Sequence, residues 1–149
     1  MPYKPLAAES GRIHLCAHRG HSIGAPENTL PALVAAAEHG ATVCEIDVVL
    51  TRDDEIVLLH DEILDRTTNG RGRVADRTLA ELRGLDAGSW FGPSFAGVRI
   101  PTLSEALATA RDCCMGLLVE IKERQRPDRL IDRLADLLPI EGWLDDVLV

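Results

Sequence analysis

Short apolar runs alternate with amphipathic segments along this chain. Residues 13–18 (IHLCAH) have the character of a short buried strand that stops at Arg19-Gly20. Residues 42–50 (TVCEIDVVL), rich in β-branched side chains, predict the clearest strand. Further strands are predicted over 56–60 (IVLLH), over 117–122 (LLVEIK) and at Val147-Leu148-Val149. A helix is predicted from Thr29 to His39, with Asn28 or Thr29 as cap, Pro31 in its first turn and Gly40 beyond its end. The capping box Thr78-x-x-Glu81 starts a short helix that stops at Gly84, and Thr102-x-x-Glu105 opens another over 103–112. From Pro127 to Leu138, Leu130, Ile131, Leu134, Leu137 and Leu138 form one apolar stripe, with Pro139 as terminator. Between 61 and 99 the chain is loop-rich, punctuated by Asn69-Gly70, Gly72, Gly88 and Gly92-Pro93. The turn Thr51-Arg52-Asp53-Asp54 is too short to hold a helix, so strand–helix alternation lapses there. Elsewhere the order predicts an α/β protein with a parallel sheet or barrel.

Composition narrows the class. At 149 residues, with 46% hydrophobic and 27% charged positions, the chain reads as one globular domain or a piece of a larger one. A net charge of −8 counts against nucleic acid or an anionic membrane surface as an electrostatic partner. No apolar run approaches the ~18 residues of a membrane span, so no integral membrane association is expected. Met1 to Leu15 carries Pro2, Pro5, Glu9, Ser10 and Arg12 where a signal peptide needs a continuous apolar stretch. Cys16, Cys44, Cys113 and Cys114 form no C-x-x-C pair and read as small buried hydrophobes in a reducing compartment. A cytoplasmic location is the expectation.

The informative polar residues stand at strand ends. Glu45 and Asp47, two apart on one strand, project from a single face among Val43 and Val49. Such a carboxylate pair on an apolar strand is costly without a cation or several donors. Glu120 and Lys122 share a face in the same way, while two other strands end in His18-Arg19 and His60-Asp61. Each has an ordinary reading: a turn histidine, an exposed edge strand, a surface ion pair. His14, His21 and His39 take that reading outright, as does Asp53-Asp54-Glu55, a solvated turn. Convergence on one edge of a parallel sheet, where ligands bind, argues otherwise for the rest. Three carboxylates suit a hard divalent cation, Mg²⁺ or Ca²⁺. Two histidines suit proton exchange near neutral pH, and Arg and Lys suit a phosphate. Together they describe phosphoester cleavage.

At these residues the sequence resembles the glycerophosphodiester phosphodiesterase family. The motifs are Ala17-His18-Arg19-Gly20, Pro26-Glu27-Asn28-Thr29, Glu45-Ile46-Asp47-Val48, Leu59-His60-Asp61, Leu64-Asp65-Arg66-Thr67-Thr68, Ile100-Pro101-Thr102-Leu103 and Glu120-Ile121-Lys122. They follow the family's order and spacing over nearly the whole chain. The resemblance implies a (β/α)₈ TIM-type barrel and a divalent metal held by Glu45, Asp47 and Glu120. It implies His18 and His60 as the acid–base pair, and Arg19 and Lys122 on the phosphate. Glu27 and Asn28 match a motif near the site, with Glu27 expected to help hold substrate or metal. The 61–99 stretch corresponds to a small insertion at the substrate's entrance, and Asp54 stands where the family usually has Gly.

The implied reaction converts a small glycerophosphodiester and water to sn-glycerol 3-phosphate and an alcohol. Two alternatives stand beside it: an inert fragment of such an enzyme, and a related phospholipase D-like lyase acting on lysolipids. The second would need an apolar entrance, for which Trp90, Phe91 and Phe95 are candidates, although a small hydrophobic cluster is their simpler role. A whole barrel takes about 250 residues. Five predicted strands of eight therefore make the chain the N-terminal part of one domain, 1–149, whose unclosed edges favour self-association.

Overall fold

The computed structural model describes residues 13–141 and 147–149. Five strands and four helices follow in the order β1 (Cys16–His18), α1 (Leu30–Glu38), β2 (Val43–Leu50), β3 (Ile56–Leu58), α2 (Leu79–Leu82), α3 (Leu103–Asp112), β4 (Gly116–Ile121), α4 (Pro127–Glu141) and β5 (Val147–Leu148). They form one sheet in the order β1-β2-β4-β5, with all three of these pairings parallel. This is part of a (β/α) barrel wall, with helices on one side.

Period-two alternation along β2 divides its neighbours. Cys44, Ile46, Val48 and Leu50 turn toward the helices and join Leu33, Leu103, Leu107, Leu117, Val119, Leu130 and Leu134 in the main core. Glu45 and Asp47 turn to the other face, which is open: Leu118 and Leu148 on that side of β4 and β5 are exposed. A second core lies under the 61–99 stretch, where Val49, Val57, Leu59, Leu64, Val74, Leu82 and Ile100 pack together. Both capping boxes form, with Thr78 and Thr102 accepting from the backbone of Glu81 and Glu105, which reach back to the cap N–H groups.

Several expectations are corrected. β3 runs antiparallel to β2, with Val48 opposite Leu58 and Leu50 opposite Ile56, because a tight turn joins strands only as a hairpin. One edge of β2 is thus shared: β1 occupies Val43–Glu45 and β3 occupies Val48–Leu50. The strand at 13–18 shrinks to Cys16–His18 and is not buried, since Ile13 is 93% and Leu15 57% exposed at a sheet edge with a neighbour on one side only. Cys16 and Cys114 are exposed for want of covering elements; Cys44 is the buried thiol. Ile131 falls outside the buried stripe of α4 that Leu130 and Leu134 form. Pro139 lies inside α4 rather than ending it; in the last turn it forfeits only its own N–H bond and the helix continues to Glu141.

The supposed solvated turn is an anchor. Asp54 adopts φ +60, the left-handed conformation that suits Gly or Asp, and its carboxylate accepts from Arg126 (2.8 Å) and pairs with Arg129 (3.0 Å) at the start of α4. Asp53 accepts from Thr51 Oγ1 (2.7 Å) and from the Leu79 N–H (2.9 Å), tying α2 to the same turn.

Candidate active site

The site begins in the loop after β1. Arg19 and Gly20 both take positive φ, +58 and +79, which turns the chain sharply enough for the Arg19 N–H to reach Glu45 Oε2 (2.9 Å). A methyl group on Gly20 would stand 2.6 Å from Ala32 Cβ and 2.7 Å from its carbonyl, so only glycine lets α1 pack this closely. Gly20→Ala is therefore expected to cost about 2–4 kcal/mol of unfolding free energy, read from urea denaturation.

Asn28 also sits in the left-handed region, at φ +56, and is not the helix cap. Thr29 holds the cap position, but its hydroxyl donates to Pro26 O (2.6 Å) rather than capping. The Asn28 amide is turned to the sheet instead. Its Nδ2 donates to Asp47 Oδ2 (2.8 Å), and its Oδ1 accepts from the Asp47 backbone N–H (3.1 Å). One short side chain thus orients a fully buried carboxylate.

Strand register completes the constellation. Asp47 lies level with Glu120 on β4, and Glu45 level with His18 on β1. Oxygens of Glu45, Asp47 and Glu120 lie within 4.8 Å of one another, the one such potential metal-ligand group among the described residues. Burial raises the Glu45 carboxyl pKa, reinforced by the negative charges of Asp47 and Glu120. Lys122 contacts Glu120 through a short hydrogen bond, which pulls the Glu120 pKa down and the lysine's up, and its Nζ stands 3.5 Å from Asp47 Oδ1. Arg19 Nε is 3.1 Å from Asp47 Oδ2. Even so, Glu45 Oε1 and Asp47 Oδ1 are buried without a hydrogen-bond partner, as is Arg19 Nε. Two clustered, orphaned carboxylate oxygens fit a hard divalent cation, whose preferred ligands they are.

His60 arrives by a route the sequence conceals. β3 runs back along β2, so the chain leaving it passes the middle of β2, where the Leu59 N–H donates to Asp47 O (3.1 Å). His60 Nδ1 is 2.6 Å from Asp61 Oδ1, and His18 Nε2 is 3.9 Å from Glu45 Oε2. A cleft of about 340 Å³ opens at His60, lined also by Asp61, Glu62, Ile63, Lys122 and Arg124. All the strand-end residues named from sequence therefore lie along one edge and the adjoining face.

Residues 18–136 match the model of the glycerophosphoryl diester phosphodiesterase family. The chain belongs to this family. YhdW of Bacillus subtilis is 53% identical over 126 residues, 85% of this chain and 51% of its own. The glycerophosphodiester phosphodiesterase of Caldanaerobacter subterraneus subsp. tengcongensis is 52% identical over 71% of this chain and 44% of its own. Among solved structures, an Oleispira antarctica phosphodiesterase in complex with the product sn-glycerol-3-phosphate superposes with a TM-score of 0.86 at 40% identity, covering 91% of this chain and 55% of that one. The Agrobacterium tumefaciens glycerophosphodiester phosphodiesterase gives 0.83 at 35% identity, covering 91% and 56%. The chain thus spans about half the length of these relatives, and its open sheet is a partial barrel of the family's TIM type.

Two charged residues of the family motifs prove more involved than sequence reading indicates. Glu27 is gripped by Arg66 through both terminal guanidinium nitrogens (2.8 and 2.9 Å) and by Arg19 Nη1 (3.2 Å), which holds its carboxyl below the usual range. Arg66 Nε also donates to Asp61 Oδ2 (2.6 Å), with the same effect on Asp61. The Thr-Thr that follows Arg66, and its place in a family motif, are the only local signals for it. Phe91 stacks edge to face with both Trp90 and Phe95, centroids 5.7 and 5.5 Å apart, the small hydrophobic cluster expected as their simpler role. No helix among the described residues is long and apolar enough to cross a membrane.

Proposed function

We propose that this chain carries the acid–base and metal-holding part of a glycerophosphodiester phosphodiesterase, acting on small glycerophosphodiesters to release sn-glycerol 3-phosphate and an alcohol. The observation that carries the reading is the Glu45–Asp47–Glu120 cluster, with unpartnered buried oxygens, between two histidines and two cations. In this reading those three carboxylates hold one Mg²⁺ or Ca²⁺, and Asn28 sets the angle of Asp47. A bound divalent cation supplies positive charge that acidifies a hydroxyl and offsets charge gathering on a phosphate oxygen.

Arg19 and Lys122 grip the phosphate, Arg19 as a planar fork and Lys122 as a point charge. Asp61, ionised and able only to accept, fixes the His60 proton on Nδ1. With Nδ1 engaged, His60 offers Nε2 as the proton acceptor, the arrangement of a general base. His18, two-thirds exposed at the end of β1, donates its own proton to the departing alcohol in this reading. Residues 61–99, folded over their own core, form the insertion that borders the entrance. The whole chain is read as one domain. Cysteines outside any disulfide suit the reducing cytoplasm, and the open edges of β1 and β5 suit self-association.

The test is release of glycerol 3-phosphate from glycerophosphocholine by the folded chain, in EDTA and after adding back Mg²⁺ or Ca²⁺. Turnover that EDTA abolishes and metal restores supports the reading. No turnover in any condition assigns the chain to an inert binding role, and head-group release from a lysolipid alone assigns it to lyase-type chemistry.

A further inference from the structure

Arg66 lies outside the constellation of metal-holding, histidine and phosphate-facing residues, yet it touches the supports of two of them. It follows His60 by six residues, at the start of the 61–99 stretch, and its guanidinium faces two carboxylates from separate loops. Nε donates to Asp61 Oδ2 at 2.6 Å, while Nη1 and Nη2 donate to the two oxygens of Glu27 at 2.9 and 2.8 Å. Each carboxylate spends a further lone pair on the site. Asp61 Oδ1 takes His60 Nδ1 (2.6 Å), and Glu27 Oε1 takes Arg19 Nη1 (3.2 Å). The geometry points to Arg66 as a positioning residue that orients His60 through Asp61 and Arg19 through Glu27. This rests on the phosphodiesterase reading of the site for its kinetic consequence, but not for its structural one.

Three features favour this over a plain surface ion pair. All three guanidinium nitrogens are used, in the planar arrangement that a lysine ammonium cannot reproduce. The two carboxylates belong to the loop before α1 and the segment after β3, which carry Arg19 and His60 into the site from opposite strand directions. The clamp therefore sets one loop's position against the other's. Arg66 is also 44% exposed, so solvent screens its ion pairs and limits what they add to folding stability. A substitution there should leave the fold intact and loosen the site, and a displacement of about 1 Å in a reacting group costs roughly 10²-fold in rate.

The experiment compares Arg66→Gln and Arg66→Lys with the parent chain in two measurements. In ¹⁵N-histidine NMR of the metal-free chain, the parent's His60 is expected to hold its proton on Nδ1. Both variants should move His60 toward a mixture of tautomers, while His14, His21 and His39 stay put. In glycerophosphocholine hydrolysis, both should lose roughly 10- to 100-fold in kcat/KM with the melting temperature within a few degrees of the parent. Combining Arg66→Gln with Asp61→Asn and Glu27→Gln should add little to the loss in the double carboxylate variant. An unchanged His60 tautomer in Arg66→Gln overturns the proposal, as does full rescue of tautomer and rate by Arg66→Lys. A rate loss that merely tracks a fall in melting temperature overturns it too. If the parent shows no hydrolysis, the phosphodiesterase reading fails for this chain, and the tautomer measurement alone decides the clamp.

Discussion

Replacing His60 with alanine is expected to lower kcat for glycerophosphocholine by roughly 10²–10⁴-fold, the range that a positioned acid or base contributes. His18→Ala should lose a comparable amount. Neither side chain belongs to a packed core: His18 is 67% exposed and His60 30%, so both variants should melt close to the parent. The two losses should differ in character. His60 is backed by Asp61, so Asp61→Asn should reproduce part of the His60 defect by releasing the Nδ1 proton constraint. His18 has Glu45 as its nearest charged neighbour, 3.9 Å away, so its defect should respond to changes on β2. Wild-type rates in either alanine variant, at unchanged metal dependence, would remove that histidine from the mechanism.

The second large effect concerns Glu45, where stability and function should move in opposite directions. Burial and the charges of Asp47 and Glu120 raise its pKa above the ordinary carboxyl value of 4.5. A carboxyl raised in the folded state binds its proton longer there than in the unfolded chain, so its contribution to stability falls as pH climbs above 4.5 and stays unfavourable once it ionises. Glu45→Gln removes that penalty and should raise the melting temperature of the metal-free protein at pH 7. The stability difference between Glu45→Gln and parent should vanish below about pH 4 and grow above it. In the parent, saturating Mg²⁺ or Ca²⁺ should reverse the penalty: at a metal concentration of 100 Kd, binding adds about 2.7 kcal/mol, or roughly 5–10 °C for a chain of this size. The glutamine variant should lose most of that rise along with metal-dependent turnover. A variant less stable than the parent without metal, or one that keeps the full metal-induced shift, would contradict the carboxylate-cluster account.

Much of this was readable locally, because local geometry follows local sequence. A Thr followed three residues later by Glu satisfies two orphan helix donors wherever it occurs, and both such boxes formed. Period-two alternation in β2 put Glu45 and Asp47 on one face whatever the rest of the chain did. The strand-end residues His18, Arg19 and Lys122 likewise sit at or just beyond the ends of their strands. Composition added the absence of a long apolar helix, which holds for the described residues.

Tertiary structure decided the rest, through contacts between residues far apart in the chain. Asn28 reads as a helix cap until the sheet brings Asp47 to it, 19 residues on, and a buried carboxylate outbids a helix end for its amide. Asp54 reads as a solvated turn until α4 delivers Arg126, 72 residues later. Cys16 and Ile13 read as core until the sheet order leaves them on an edge with nothing above. His60 reads as a strand end like the others, yet the Leu59 N–H beside it reaches Asp47 O because the hairpin reverses β3 along the half of β2 that β1 leaves free. The sequence by itself nominated the side chains proposed for the chemistry and determined on which face of β2 two of them stand, since spacing along one strand is enough for that. Only the fold could bring those groups within reach of one another and pair Asn28 with Asp47, and Asp61 and Glu27 with Arg66. Those pairings depend on strand direction and register, which no local pattern encodes.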